Sequence, residues 1–203
     1  MAVGAFLLHR TLQGTSDAVA LSALSIALAA VWCLGALALL LWARPAPHHG
    51  PTWDERLGER LGARRHPVGF AVAVGAAFAI VSLIGALVLL ALPFLGGGVS
   101  LATGRVDDDP LLVFLVALVT GAAEELFFRV GLLRLLPARS ALVTSTALYG
   151  LVTLATGNLP LVLAAVLLGA VCALTLRATG RWYTPLIVHA LWTVALVGIL
   201  PLV

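Results

Sequence analysis

The chain has 203 residues; 62% are apolar, only 10% are charged, and the formal net charge is +3. Soluble domains carry roughly 25% charged and about 45–50% apolar residues, so these values argue against a soluble enzyme and against a nucleic-acid partner. Disorder is excluded as well, because it needs low hydrophobicity and high charge, whereas mean hydropathy here is +1.11.

A bilayer core of about 30 Å needs roughly 20 apolar residues in a helix. On that measure the expected fold class is all-α, a polytopic transmembrane helix bundle of about six spans in one integral membrane domain. The first residues lack a signal-peptide layout, since His9 and Arg10 follow only a short apolar stretch. The predicted spans are 17–43, 68–95, 111–136, 141–155, 159–176 and 185–203. Between the first two lies the main hydrophilic segment, with Arg44, Arg56, Arg60, Arg64 and Arg65. Within it, Trp53, Leu57 and Leu61 fall at helical spacing, which allows a short amphipathic helix on the inner leaflet, although a charged segment of this kind reads first as a solvated surface loop. His48 and His49 are read as loop residues. Gly96, Gly97 and Gly98 read as a flexible link, followed by the acidic run Asp107, Asp108 and Asp109. Spans four and five are short and separated by Thr156, Gly157 and Asn158, a tight helical hairpin with a Gly-Asn turn. Cys33 and Cys172 lie inside apolar runs and read as small buried hydrophobes.

All twelve basic residues are Arg. Five lie in the first loop; Arg134 and Arg139 follow the third span, and Arg177 and Arg181 follow the fifth. If six spans alternate, these nine share one side and only Arg10 and Arg105 face the other. The bias predicts that the basic loops are cytoplasmic.

The third span carries the informative cluster. After an apolar run come Glu124, Glu125 and Arg129, near mid-bilayer depth. One charged residue at a helix centre costs roughly 2.5–3.5 kcal/mol on translocon scales, so intramembrane ionisable groups are functional candidates. Glu125 and Arg129 stand at i and i+4 and can pair. Glu124 is about 100° round the helix and remains available, which suits a general base that activates water. A structural salt-bridge network between helices is the competing reading. In the last span His189 lies about one turn inside the membrane from the Arg181 end, with Thr193 on the same face. In the fourth, Tyr149 and Thr153 share a face that Thr146 extends, and Thr144 and Ser145 are small polar residues of the kind that help helices pack in lipid.

Glu124, Glu125 and Arg129 match EExxxR, the first motif of the CPBP family of intramembrane proteases. Pro185 and His189 follow some 60 residues later. The chain resembles that family over roughly 110–203, leaving 1–109 as N-terminal spans and basic loop. The family includes the type II CAAX prenyl endopeptidases and the bacterial Abi proteins of bacteriocin self-immunity. The second family motif, FxxxH, aligns on Tyr149 and Thr153, so Thr stands where the family has His. The third, HxxxN, aligns on His189 and Thr193, so Thr stands for Asn.

The resemblance implies that Glu124 activates water, that His189 binds or polarises the reacting centre, and that Thr193 can donate a hydrogen bond to an oxyanion. It also implies a peptide or protein substrate reached from the membrane or its inner leaflet, and a bacterial cell membrane as the location. A divalent metal, zinc in the first instance, would have Glu124 and His189 as ligands. A metal-free route with Glu124 and His189 needs fewer groups. The alternative is a catalytically degenerate scaffold or bacteriocin self-immunity protein, motivated by Thr153 and Thr193. Buried carboxylates also mark ion paths, but the two halves lack broken-helix symmetry.

Overall fold

The computed structural model describes residues 1–13, 18–46, 52–103 and 109–202. His48, His49, Arg105, Asp107, Asp108 and the start of the first predicted span lie outside the described residues, as does the Trp53 side chain. Among the described residues every regular element is helical: α1 (Ala2–Gln13), α2 (Ala18–Trp42), α3 (Trp53–Arg60), α4 (Pro67–Leu90), α5 (Gly96–Thr103), α6 (Pro110–Glu125), α7 (Ala141–Leu154), α8 (Leu159–Thr179) and α9 (Thr184–Thr193). Both α6 and α9 run on without a break into wider π-helical turns, Leu126–Leu132 and Val194–Ile199.

Local chemistry sets the helix starts. Pro67, Pro110, Pro160 and Pro185 sit in first turns, where a missing N–H removes nothing the helix needs. The carboxylate of Asp109 accepts from the Leu112 N–H at 3.1 Å, and the Asn158 side chain accepts from Leu161 at 3.1 Å. Gly157 (φ +68°) makes the expected turn between α7 and α8, and Gly180 (φ +68°) ends α8 in the left-handed region.

Among the described residues five helices are long and apolar enough to cross a membrane: Ser22–Trp42, Pro67–Leu90, Pro110–Leu135, Leu159–Thr179 and Thr184–Leu202. The expected fourth span is α7, which has 14 residues. At 1.5 Å per residue it is about 21 Å long, shorter than the hydrocarbon core, and it packs along α8. Three further expectations are corrected. Gly96, Gly97 and Gly98 are no link but the first turn of α5. Residues 2–13, where the apolar pattern predicts no span, form α1, which folds back on α2. Cys33 is exposed; Cys172 is buried as expected.

Packing follows small residues. Ala71, Gly75 and Ala79 repeat every fourth position on the buried side of α4, which lies along α9. A Cβ on Gly75 would sit 2.8 Å from Leu191 Cδ1 and 3.1 Å from Val188 Cα, so a larger residue would force the helices apart. The opposite side of α4 exposes Val72, Ile80, Ile84 and Val88, as a lipid-facing surface does.

The basic segments gather at one end of the bundle. Arg177 Nε lies 2.7 Å from Asp54 Oδ2, tying α3 to the end of α8, and its Nη1 donates to the Ala138 carbonyl at 2.9 Å. The Ala46 N–H donates to the Arg134 carbonyl at 3.1 Å. The helix that the spacing allows forms as α3, but Asp54 and Gly58 face the protein while Leu57 and Leu61 stay exposed. The other end holds the Gly157 turn, where Asn158 Nδ2 donates to the Gly98 carbonyl at 2.7 Å and His9 Nδ1 lies 2.9 Å from the Ala155 carbonyl oxygen.

Candidate active site

Glu124 and Glu125 close α6 at the point where it widens into its π-helical stretch, and α7 and α9 flank them. The two carboxylates diverge as successive helical residues must. Glu125 points inward and is fully buried. One oxygen, Oε2, lies 3.2 Å from Arg129 Nε; the other, Oε1, lies 3.0 Å from Nδ1 of His189. A carboxylate only accepts, so Nδ1 carries the proton and the ring orientation is fixed from behind, leaving Nε2 as the atom that faces the site. Nε2 packs against the backbone of Gly121: a Cβ there would sit 2.7 Å from it.

Arg129 is the largest charged side chain in the interior. Its N–H groups find no aligned hydrogen-bond acceptor among the described residues. Instead the guanidinium carbon lies 4.6 Å from the ring centroid of Tyr149 and 5.6 Å from that of Phe128, a cation–π arrangement that gains strength where water is excluded. Gly169 of α8 makes the room; a Cβ there would come within 2.6 Å of Nη2. Phe127, Phe128, Trp32 and Tyr149 form a continuous aromatic cluster around the pair. The Ser145 hydroxyl of α7 donates to the Phe128 carbonyl at 2.9 Å, pinning α7 to the π-helical stretch.

Glu124 points the other way, into a cavity of about 210 Å³ whose inner end is lined by Gly121, Glu124, Tyr149, Thr153, His189 and Thr193. The Tyr149 hydroxyl donates to Glu124 Oε2 at 2.6 Å. Among the described residues Glu124 therefore has one hydroxyl donor and no ion pair, while the imidazole is held by the neighbouring acid. Thr153, in the place of the family His, spends its hydroxyl proton on the Tyr149 carbonyl one turn back, at 3.0 Å. From the site the cavity passes Thr120, Ala117 and Val113 of α6 and Leu161 of α8, toward the end of the bundle away from the basic segments.

The expected site residues thus fall into two layers. Glu124, His189, Tyr149, Thr153 and Thr193 line the cavity; Glu125 and Arg129 lie behind it and line no part of it. Sequence reading missed Gly121 and Gly169, whose importance exists only across helices. The donor set does not fit a metal. Zinc takes at least three protein ligands, and among the described residues no three His, Cys, Asp or Glu side chains gather to hold an ion; Glu125 is committed to Arg129 and His189, and Thr153 to a carbonyl.

No curated protein and no solved structure matches this chain. Residues 106–195 match the family described as Rce1-like, type II CAAX prenyl endopeptidase Rce1-like. That segment contains all seven of the side chains just placed, from Glu124 to Thr193, and over it the chain is similar to the Rce1-like type II CAAX prenyl endopeptidases.

Proposed function

We propose that this integral membrane protein is an intramembrane endopeptidase of the CAAX-protease type, in which Glu124 activates water against a peptide bond. The observation that carries the reading is the division of labour between adjacent carboxylates: Glu125 holds the imidazole from behind, and Glu124 faces the cavity beside it. With Oε2 accepting from Tyr149, Glu124 Oε1 is free to accept from a water. The water oxygen bonds to the carbonyl carbon and its proton passes to Glu124. As the C–N bond breaks, that proton goes to the leaving nitrogen, and the products are a carboxylic acid and an amine. His189, as imidazolium, donates Nδ1–H to Glu125 and Nε2–H to the carbonyl oxygen, where negative charge grows in the transition state. Thr193 adds a hydroxyl on the same helix face. The route uses the chain's own residues and no metal.

A general base contributes roughly 10²–10⁴-fold. Glu124→Gln is expected to lower peptide cleavage by the purified protein in detergent by that factor, with unchanged yield of folded protein. Cleavage that survives Glu124→Ala overturns the assignment. The second reading, a degenerate scaffold or immunity protein, is favoured by one observation, the commitment of the Thr153 hydroxyl to its own helix. It expects biological activity to persist in Glu124→Gln, so the same variant separates the two.

A further inference from the structure

We infer that the basic end of the bundle is a docking surface for anionic phospholipid headgroups, with α3 and the turn after it as the platform. The surface lies away from the cavity, and it stands whether or not the protein cuts peptides.

Helix geometry sorts α3 into four strips, since successive residues step by about 100°. Asp54 and Gly58 share the strip that meets the protein. Asp54 is held by Arg177, and Gly58 lies against the backbone of Ala178, so α3 is laid across the end of α8 and covers it. One flank carries Leu57 and Leu61, 46% and 59% exposed. The other flank carries Glu55 and Glu59, and the outer strip between them carries Arg56 and Arg60. The Glu55 carboxylate is occupied at the helix start, where it accepts from the Thr52 N–H at 2.9 Å. An apolar flank, an acidic flank opposite and arginines at the level between them make the cross-section of a helix lying in the boundary of a bilayer. The leucines enter the acyl region, the guanidinium groups meet the phosphates, and the acids stay in water.

Neighbouring elements set the level of that boundary. Helix α4 begins at Pro67 and already exposes Val68 in its first turn, as a segment entering hydrocarbon does. At the same end Trp42 closes α2 and Trp182 precedes α9; both indoles are exposed, and each has an exposed Arg within two residues, Arg44 and Arg181. Tryptophan gathers at the headgroup level.

Charge selects the lipid. Arg60, Arg64, Arg65 and Arg181 are all exposed; between residues 52 and 66 the one exposed acid is Glu59, 4.0 Å from Arg64. A guanidinium fork matches two phosphate oxygens at once, and the choline of a zwitterionic headgroup would bring a second cation to a surface already rich in them. The opposite end has no such excess. Among the described residues its exposed charged side chains are Arg10 and Asp109.

The test uses the full chain in vesicles of phosphatidylcholine and phosphatidylglycerol, as the Cys33→Ala/Leu61→Cys variant with bimane on the new thiol. The buried Cys172 takes no label, and the Cys33→Ala parent is the blank. Quenching is compared for the two lipids, each carrying a nitroxide near its ester bond. Both are expected to quench, with phosphatidylglycerol preferred by at least about fivefold, the worth of one Arg close to an anionic surface. The preference is expected to vanish in Arg60→Gln/Arg64→Gln/Arg65→Gln. Those side chains are exposed, so the unfolding temperature is expected to hold. With the arginines in place it is expected to vanish in about 1 M salt, where the screening length falls to about 3 Å. The same probe at Arg10→Cys is expected to show none.

No quenching by either lipid, equal quenching by both, or a preference that survives the triple variant overturns the proposal. So does an equal preference at Arg10→Cys. Loss of the preference on adding soluble glycerol phosphate makes a free phosphate the ligand and overturns the lipid surface. Retention of polyglutamate on phosphatidylcholine vesicles, dependent on the three arginines and without any lipid preference, assigns the surface to an acidic polypeptide and overturns it too.

Discussion

Two glycines shape the site as strongly as its charged residues. Gly121 lets the imidazole edge of His189 lie on the α6 backbone, and Gly169 admits the guanidinium of Arg129. Gly121→Ala places a methyl group 2.7 Å from Nε2. The ring must shift, and a displacement near 1 Å in a catalytic group can cost about 10²-fold in rate. Cleavage is therefore expected to fall by about that factor, while thermal unfolding in detergent moves little. The Glu125–Arg129 pair behaves differently. Removing one partner leaves a buried charge, typically at about 3–5 kcal/mol, whereas replacing both by apolar groups is often neutral. Glu125→Leu and Arg129→Met are each expected to lower the unfolding temperature sharply, and the double variant to recover it. Cleavage should stay low in the double variant, because His189 has lost the acceptor at Nδ1. The pair was legible from its i, i+4 spacing, and so was the divergence of Glu124 from Glu125. The Tyr149 partnership was not, since which atom of α7 meets Glu124 depends on how the helices dock.

Regular periodicity reveals where helices run but not how they are wound. Both α6 and α9 pass into π-helical turns directly after site residues, Glu125 and Thr193, a placement common at functional sites. No residue pattern in 126–132 or 194–199 announces it. The hairpin turn at Gly157 was legible because Gly and Asn there interrupt an apolar run. The triple glycine misled, since α5 is made by its surroundings: Gly96 abuts the Leu90 carbonyl and the Gly98 carbonyl accepts from Asn158, so tertiary contacts override weak helix propensity. The amphipathic α3 was legible as a helix but not in its docking, which uses Asp54 and Gly58 rather than the leucines. Gly58→Leu is expected to push α3 off α8 by overpacking, at about 1–3 kcal/mol. Faster tryptic cleavage at Arg60, together with a lower unfolding temperature, would report it.

At the scale of the whole molecule, hydropathy found every long apolar helix, and the count differs only at α7, whose length depends on cover from α8 rather than on reach across lipid. The Arg distribution also grouped loops distant in sequence, and the hydrogen bonds from Arg177 to Ala138 and from Ala46 to Arg134 bring them to one end. From the positive-inside bias we propose that this end is cytoplasmic. Trypsin is expected to cut at the exposed Arg64 and Arg65 in inside-out vesicles and to spare them in intact cells; the reverse would invert the topology. What the sequence could not supply was the direction of the cavity, a property of how seven helices leave space between them. The clamp of Asp54 on Arg177 also bears on biogenesis. At about 5–20 residues per second, the ribosome releases Arg177 on the order of 6–25 s after Asp54. Throughout that interval α3 has no dock, so Asp54 waits in water while α4, α6, α7 and α8 are threaded into the bilayer. The seal over the basic end therefore cannot set until α8 has been made, and a nascent chain stalled before α8 would leave that end uncovered.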